Sequence, residues 1–185
     1  MEAVNLLNTK GMKNVLMLIA AAGLIAGCAT EEPNVTTYTD QISGLKTDLL
    51  ENELEAPGNP REVVWLNASR LPKGFKESRY YLDVQYMALN EVGYLEIPPG
   101  RTLTLILDGQ PMYFEGTGSG AIRKTYKKDF VREMAMYPVT KPQLEKIASA
   151  KSVKVRIKGN NGLVEREFSD INRACFGEFV RKVSY

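Results

Sequence analysis

Val153-Lys154-Val155-Arg156-Ile157-Lys158-Gly159-Asn160-Asn161-Gly162-Leu163-Val164-Glu165-Arg166-Glu167-Phe168 alternates apolar and charged residues on either side of a Gly-Asn-Asn-Gly turn. Val153, Val155 and Ile157 fall on one face of the first strand, Lys154, Arg156 and Lys158 on the other. A turn centred on Asn161-Gly162 pairs Arg156 with Glu167 and Val155 with Phe168. One centred on Asn160-Asn161 slides the pairing by two and sets Ile157 against Val164. Both registers put Val164, Arg166 and Phe168 on the apolar face. Arg166 is then a charge on a core face, which fits a side chain snorkelling out at the sheet end, a buried carboxylate pair or a ligand anchor.

Two helices flank this hairpin. Thr140 with Gln143 forms a capping box, Pro142 sits in the first turn, and Leu144, Ile147 and Ala148 share a face, which predicts a helix ending near Ala150. Ser169 caps a second helix in which Ile171, Cys175, Phe179 and Val183 recur every four residues. On that stripe Cys175 reads as a buried small hydrophobe, not a reactive thiol.

Upstream the pattern is strand-like. Val63–Leu66 is a short β-rich run, and Tyr80, Leu82, Val84 and Tyr86 alternate with Tyr81, Asp83, Gln85 and Met87. Leu103, Leu105 and Leu107 lead into Asp108-Gly109, a strong hairpin signal, with Met112 to Glu115 returning. Residues 38–55 fit either a helix or extended segments around a turn at Ser43-Gly44. Gly116-Thr117-Gly118-Ser119-Gly120 matches neither the dinucleotide nor the P-loop pattern and reads as a flexible hairpin loop. Residues 121–137 read as one or two strands rich in lysine and arginine. The whole predicts an α+β fold with a mostly antiparallel β-sheet of about six to eight strands and two C-terminal helices. The alternative is a β-sandwich with a late helical insertion.

A net charge of +2 over 185 residues does not suit bulk nucleic-acid binding, and 44% hydrophobic residues suffice for one core. The chain has no histidine, which removes Ser-His and Cys-His pairs and the commonest zinc sites. No catalytic residues, metal ligands or cofactor are read from it.

Near the N-terminus, an apolar run after Lys13 closes on Leu24-Ile25-Ala26-Gly27-Cys28. This ending resembles the lipobox of bacterial lipoproteins, which implies cleavage between Gly27 and Cys28 and acylation of Cys28. Met12-Lys13-Asn14 makes a better signal start than Met1, so translation is expected from Met12. The expected organisation is a signal peptide over residues 1–27, a flexible tether over 28–37 and one globular domain over 38–185. With Cys28 acylated, Cys175 has no disulfide partner in the chain. Ala29 follows the cysteine in place of an aspartate, so the resemblance implies the outer membrane, facing the periplasm. From Trp65 onward the chain also resembles small exported bacterial proteins of uncharacterised function, in Tyr80–Tyr86, in the run from Tyr137 through Leu144 and Ile147 to Val153–Gly159, and in the closing Phe-rich helix. That resemblance implies no catalytic residues.

The functional expectation is a non-catalytic binding or accessory protein anchored to the bilayer through Cys28. The alternatives are a structural subunit of an envelope assembly and a small carboxylate-dependent hydrolase. The hydrolase needs two of Asp83, Asp108, Glu115, Asp129 and Glu133 to converge across a cleft. The candidate binding feature is Arg123, Lys124, Lys127, Lys128 and Arg132, facing an anionic envelope partner. A strand would split these residues between two faces, and the competing reading is an edge strand whose lysines block sheet-to-sheet association.

Overall fold

The computed structural model describes residues 35–39, 41, 46–56, 58, 61–71, 79–120, 123–126 and 129–184. They form an α+β domain of two antiparallel sheets and two helices. The larger sheet has seven strands: β1 (Val35–Thr39), β2 (Lys46–Leu50), β3 (Glu53–Leu54), β4 (Glu62–Leu71), β5 (Arg79–Leu89), β8 (Arg123–Tyr126) and β9 (Phe130–Val139). Its order is β1-β2-β4-β5-β9-β8, and β3 pairs with β4 beyond the end of β2. The smaller sheet runs β11-β10-β6-β7, built from β6 (Gly100–Leu107), β7 (Gln110–Gly116), β10 (Val153–Gly159) and β11 (Gly162–Glu167). The helices are α1 (Lys141–Ser149) and α2 (Asp170–Val183). The larger sheet alone falls within the strand number expected from sequence, while the presence of a second sheet was contained only in the sandwich alternative. Within residues 38–55 the strands Lys46–Leu50 and Glu53–Leu54 are extended, and the turn expected at Ser43-Gly44 lies outside the described residues. β1 begins at Val35, within the stretch expected as tether.

Strand alternation creates the core. Val64, Leu66 and Ala68 of β4, Leu82, Val84 and Tyr86 of β5, and Val131, Ala135 and Tyr137 of β9 share one face of the larger sheet. The smaller sheet contributes Leu103, Leu105, Val155, Ile157 and Val164, and the helices contribute Leu144, Ile147, Phe176 and Phe179, all to that single core. Both helices form as their caps dictate. Thr140 with Gln143 and Ser169 with Asn172 each make a complete capping box. The buried stripe of α2 differs from the expected one. Ile171 is 48% exposed, while Asn172, Cys175, Phe176, Phe179 and Val183 are buried. Asn172 fixes that rotation, because its Nδ2 donates to Asn52 Oδ1 at 2.8 Å and to the Glu53 carbonyl at 2.7 Å.

Asp108 (φ 49) and Gly109 (φ 85) form the primed turn their sequence calls for. The β10–β11 hairpin takes the Asn160-Asn161 register, with Ile157 opposite Val164 and Arg156 opposite Glu165. A distant loop decides this. Asn160 N–H donates to the Glu96 carbonyl at 3.0 Å, and Asn161 N–H to that of Leu95 at 3.1 Å. Asn161 Nδ2 adds a bond to the Tyr94 carbonyl at 2.9 Å.

The glycine-rich stretch 116–120 is not a hairpin loop. It carries the chain from β7 in one sheet to β8 in the other, and Ser119 is fully buried. Gly118, at φ 75, lies against the backbone of residues 97–99, where a Cβ would come within 2.7 Å of the Pro99 nitrogen.

Candidate functional site

The basic segment ends on the rim of the larger sheet. β8 is its edge strand and pairs only with β9 among the described residues, Arg123 opposite Glu133 and Lys124 opposite Arg132. Only the backbone pairing of Arg123 and Lys124 is described, and on the β9 side Arg132 stands opposite Met87 of β5, away from the face that carries Val131 and Glu133. Arg132 is half-buried, and its Nη2 donates to Gln85 Oε1. Lys127, Lys128 and Cys28 lie outside the described residues.

The carboxylates named as hydrolase candidates are dispersed. Met136 pairs with Asp83 and Tyr86 with Glu133, which puts Asp83 and Glu133 on opposite faces of the larger sheet. Asp83 accepts from Ser69 Oγ at 2.9 Å, and burial raises its pKa more than that bond lowers it. Asp108 lies exposed in the β6–β7 turn. It accepts from the backbone N–H of Ser152 at 2.8 Å and of Lys151 at 3.3 Å, and these bonds hold its pKa below the usual range. Glu115 is exposed on β7, paired with Arg101 at 2.7 Å. Asp129 lies in the turn before β9, where its carbonyl accepts from Asn90 N–H at 2.9 Å.

Glu133 is the most enclosed of these. It is fully buried and accepts from the backbone N–H of Leu95 at 2.6 Å and of Glu96 at 3.0 Å, and from Ser119 Oγ at 2.5 Å. Glu96 adopts φ 56 so that consecutive amides can converge on one carboxylate. Nearby, the Tyr137 hydroxyl shares a 2.9 Å hydrogen bond with Thr102. Burial pushes the Tyr137 phenol up to about 12; the Thr102 bond opposes the rise and the Glu133 charge adds to it.

Two further charged clusters join elements. Arg166 pairs with Glu62, whose other oxygen accepts from the Tyr86 hydroxyl at 3.2 Å, so the odd residue of β11 meets a carboxylate of β4 across the two sheets. Of the three readings of Arg166, the structure shows the carboxylate pair. Asp48, buried on β2, pairs with Arg70, accepts from Thr37 Oγ1 at 2.7 Å and lies 3.9 Å from Lys182 Nζ of α2.

One feature escaped the sequence reading. On the solvent face of the smaller sheet, Arg101, Arg156 and Lys158 line a shallow cup of about 510 Å³ together with Thr104, Asn160 and Leu163. Arg156 is 2.7 Å from Glu165, and Leu163 is 50% exposed. The alternation of residues 153–158 put Arg156 and Lys158 on one face, but nothing local in the chain pairs β10 with β6 and brings Arg101 to them.

No family model, curated protein or solved structure matches this chain. Among the described residues, no helix is long and apolar enough to cross a membrane, and no group of three or more acidic or cysteine side chains is placed to hold a metal ion.

Proposed function

We propose that this chain is a lipid-anchored protein of the bacterial envelope, held to the bilayer through acylated Cys28, with a non-catalytic binding role toward an anionic envelope component. The observation that carries the non-catalytic reading is how the buried carboxylates are used. Glu133 gathers two loops, Glu62 joins the two sheets, and Asp48 links β1, β2, β4 and α2. Such committed groups hold a scaffold rigid and are poorly available for proton transfer. The anchor rests on Leu24–Cys28, and placement in the outer membrane facing the periplasm rests on Ala29. The partner's charge is inferred from the basic edge at β8 and β9.

Two experiments test this reading. Metabolic labelling with a fatty acid should mark the parent and not Cys28→Ser, and unchanged labelling of the variant removes the anchor. Replacing Lys124, Lys127 and Lys128 with glutamine should leave folding intact and weaken a salt-sensitive association with envelope material. Association at the parent's level makes β8 a protected edge only.

A further inference from the structure

We propose that the cup on the solvent face of the smaller sheet binds a phosphorylated or carboxylated sugar through Arg101, Arg156 and Lys158. The inference rests on the binding role proposed above and gives it a second place and a ligand chemistry. Arg101 donates to Glu115 through Nε, and Arg156 meets Glu165 through Nε. Among the described residues, the terminal nitrogens of both guanidinium groups make no hydrogen bond. Those nitrogens form the forked edge that matches two oxygens of a phosphate or carboxylate.

Register brings the three cations together. Arg156 is opposite Thr104, and Lys158 follows Ile157, which is opposite Leu103 beside the irregularity between Arg101 and Leu103. Glu115 and Glu165 stand on the flanking strands β7 and β11 and do not line the cup, so its only charged lining is cationic. Both ion pairs are exposed, at 68% and 64% for Arg101 and Glu115 and 45% and 51% for Arg156 and Glu165. Exposed pairs of this kind are weak, so an arriving oxyanion can compete with the glutamates. The Thr104 hydroxyl and the Asn160 amide suit sugar hydroxyls, and Leu163 supplies an apolar wall. The volume lies within the range of about 300–1,000 Å³ typical of small-molecule sites and is larger than a bare phosphate needs.

The test is titration of the full chain in detergent with glucose 1-phosphate, glucuronate and neutral glucose, followed by calorimetry. At least one anionic sugar should bind and glucose should not. Raising salt from about 0.05 to 0.5 M should weaken binding by about tenfold or more. Arg156→Gln/Lys158→Gln should lose about tenfold in affinity, and Glu165→Gln, which releases Arg156, should gain. Lys154→Gln, outside the cup and paired with Glu167, should match the parent. Glucose binding as well as the anions, undiminished binding by the double variant, or no saturation by either anion overturns the proposal. Acylation and the lysine variants of the β8 segment are read by other measurements, so failure of the cup and failure of the binding role register separately.

Discussion

Glu133 shows how much a single side chain can organise. One carboxylate oxygen accepts from the Leu95 and Glu96 amides and the other from Ser119 Oγ and the Ile97 amide, so a glutamine could keep the first pair only by turning its NH2 donor toward the second. Glu133→Gln should therefore cost about 2–3 kcal/mol, seen as a lower urea midpoint, and an unchanged midpoint would mean the amides find other acceptors. Asp83 behaves differently. Its folded pKa is raised above 3.8 mainly by burial, so the folded state disfavours its charge and this group lowers stability at neutral pH. Stability from this group grows as pH falls through the raised pKa, and the gain is complete below 3.8, where the unfolded chain is protonated too. Asp83→Asn should raise the melting temperature at pH 7, with a margin that narrows on acidification and levels off below 3.8. Cys175, 7% exposed, should react slowly with thiol reagents until the protein unfolds, and Cys175→Ala should cost about 1 kcal/mol. The burial of Cys175 was legible from its helix stripe. The role of Glu133 was not, because its amide partners lie 38 and 37 residues away and carry no local signal.

Elements were legible where their signals are local. Both capped helices and the Asp108-Gly109 turn follow from residues within four positions of one another. The β10–β11 register does not, since the backbone of residues 94–96 selects it from outside the hairpin. Gly159 marks that contact, because a Cβ there would stand 2.0 Å from the Leu95 carbonyl oxygen. Gly159→Ala should cost about 3 kcal/mol by forcing the loop and the turn apart. Gly177 in α2 is the opposite case, as a Cβ there meets nothing within 4 Å. Gly177→Ala should stabilise by about 0.5–1 kcal/mol through helix propensity, and thermal melts of the two variants should shift in opposite directions.

For the whole molecule, sequence conveyed the antiparallel α+β class and most strands one by one, and held a second sheet only as an alternative, without assigning strands to either sheet. The chain changes sheet after β5, after β7 and after β9, and alternation within a strand says nothing about which sheet receives it. Glu62–Arg166 bridges the two sheets with both side chains largely buried, 15% and 11% exposed. Arg166→Leu should cost about 3 kcal/mol by leaving Glu62 without its cation, while Glu62→Leu/Arg166→Leu should recover most of that loss in urea denaturation. The Glu133 cage also sets an order of events. A ribosome delivers a chain N-terminus first, and residues 95–97 emerge well before the carboxylate that receives their amides. Until β9 appears, the β6–β7 hairpin can close by itself but its entry and exit loops have no common seat. Completion of the smaller sheet is thereby delayed until the larger one is nearly whole, and a chain halted before Phe130 should yield its 90–120 region to protease while the full-length protein resists.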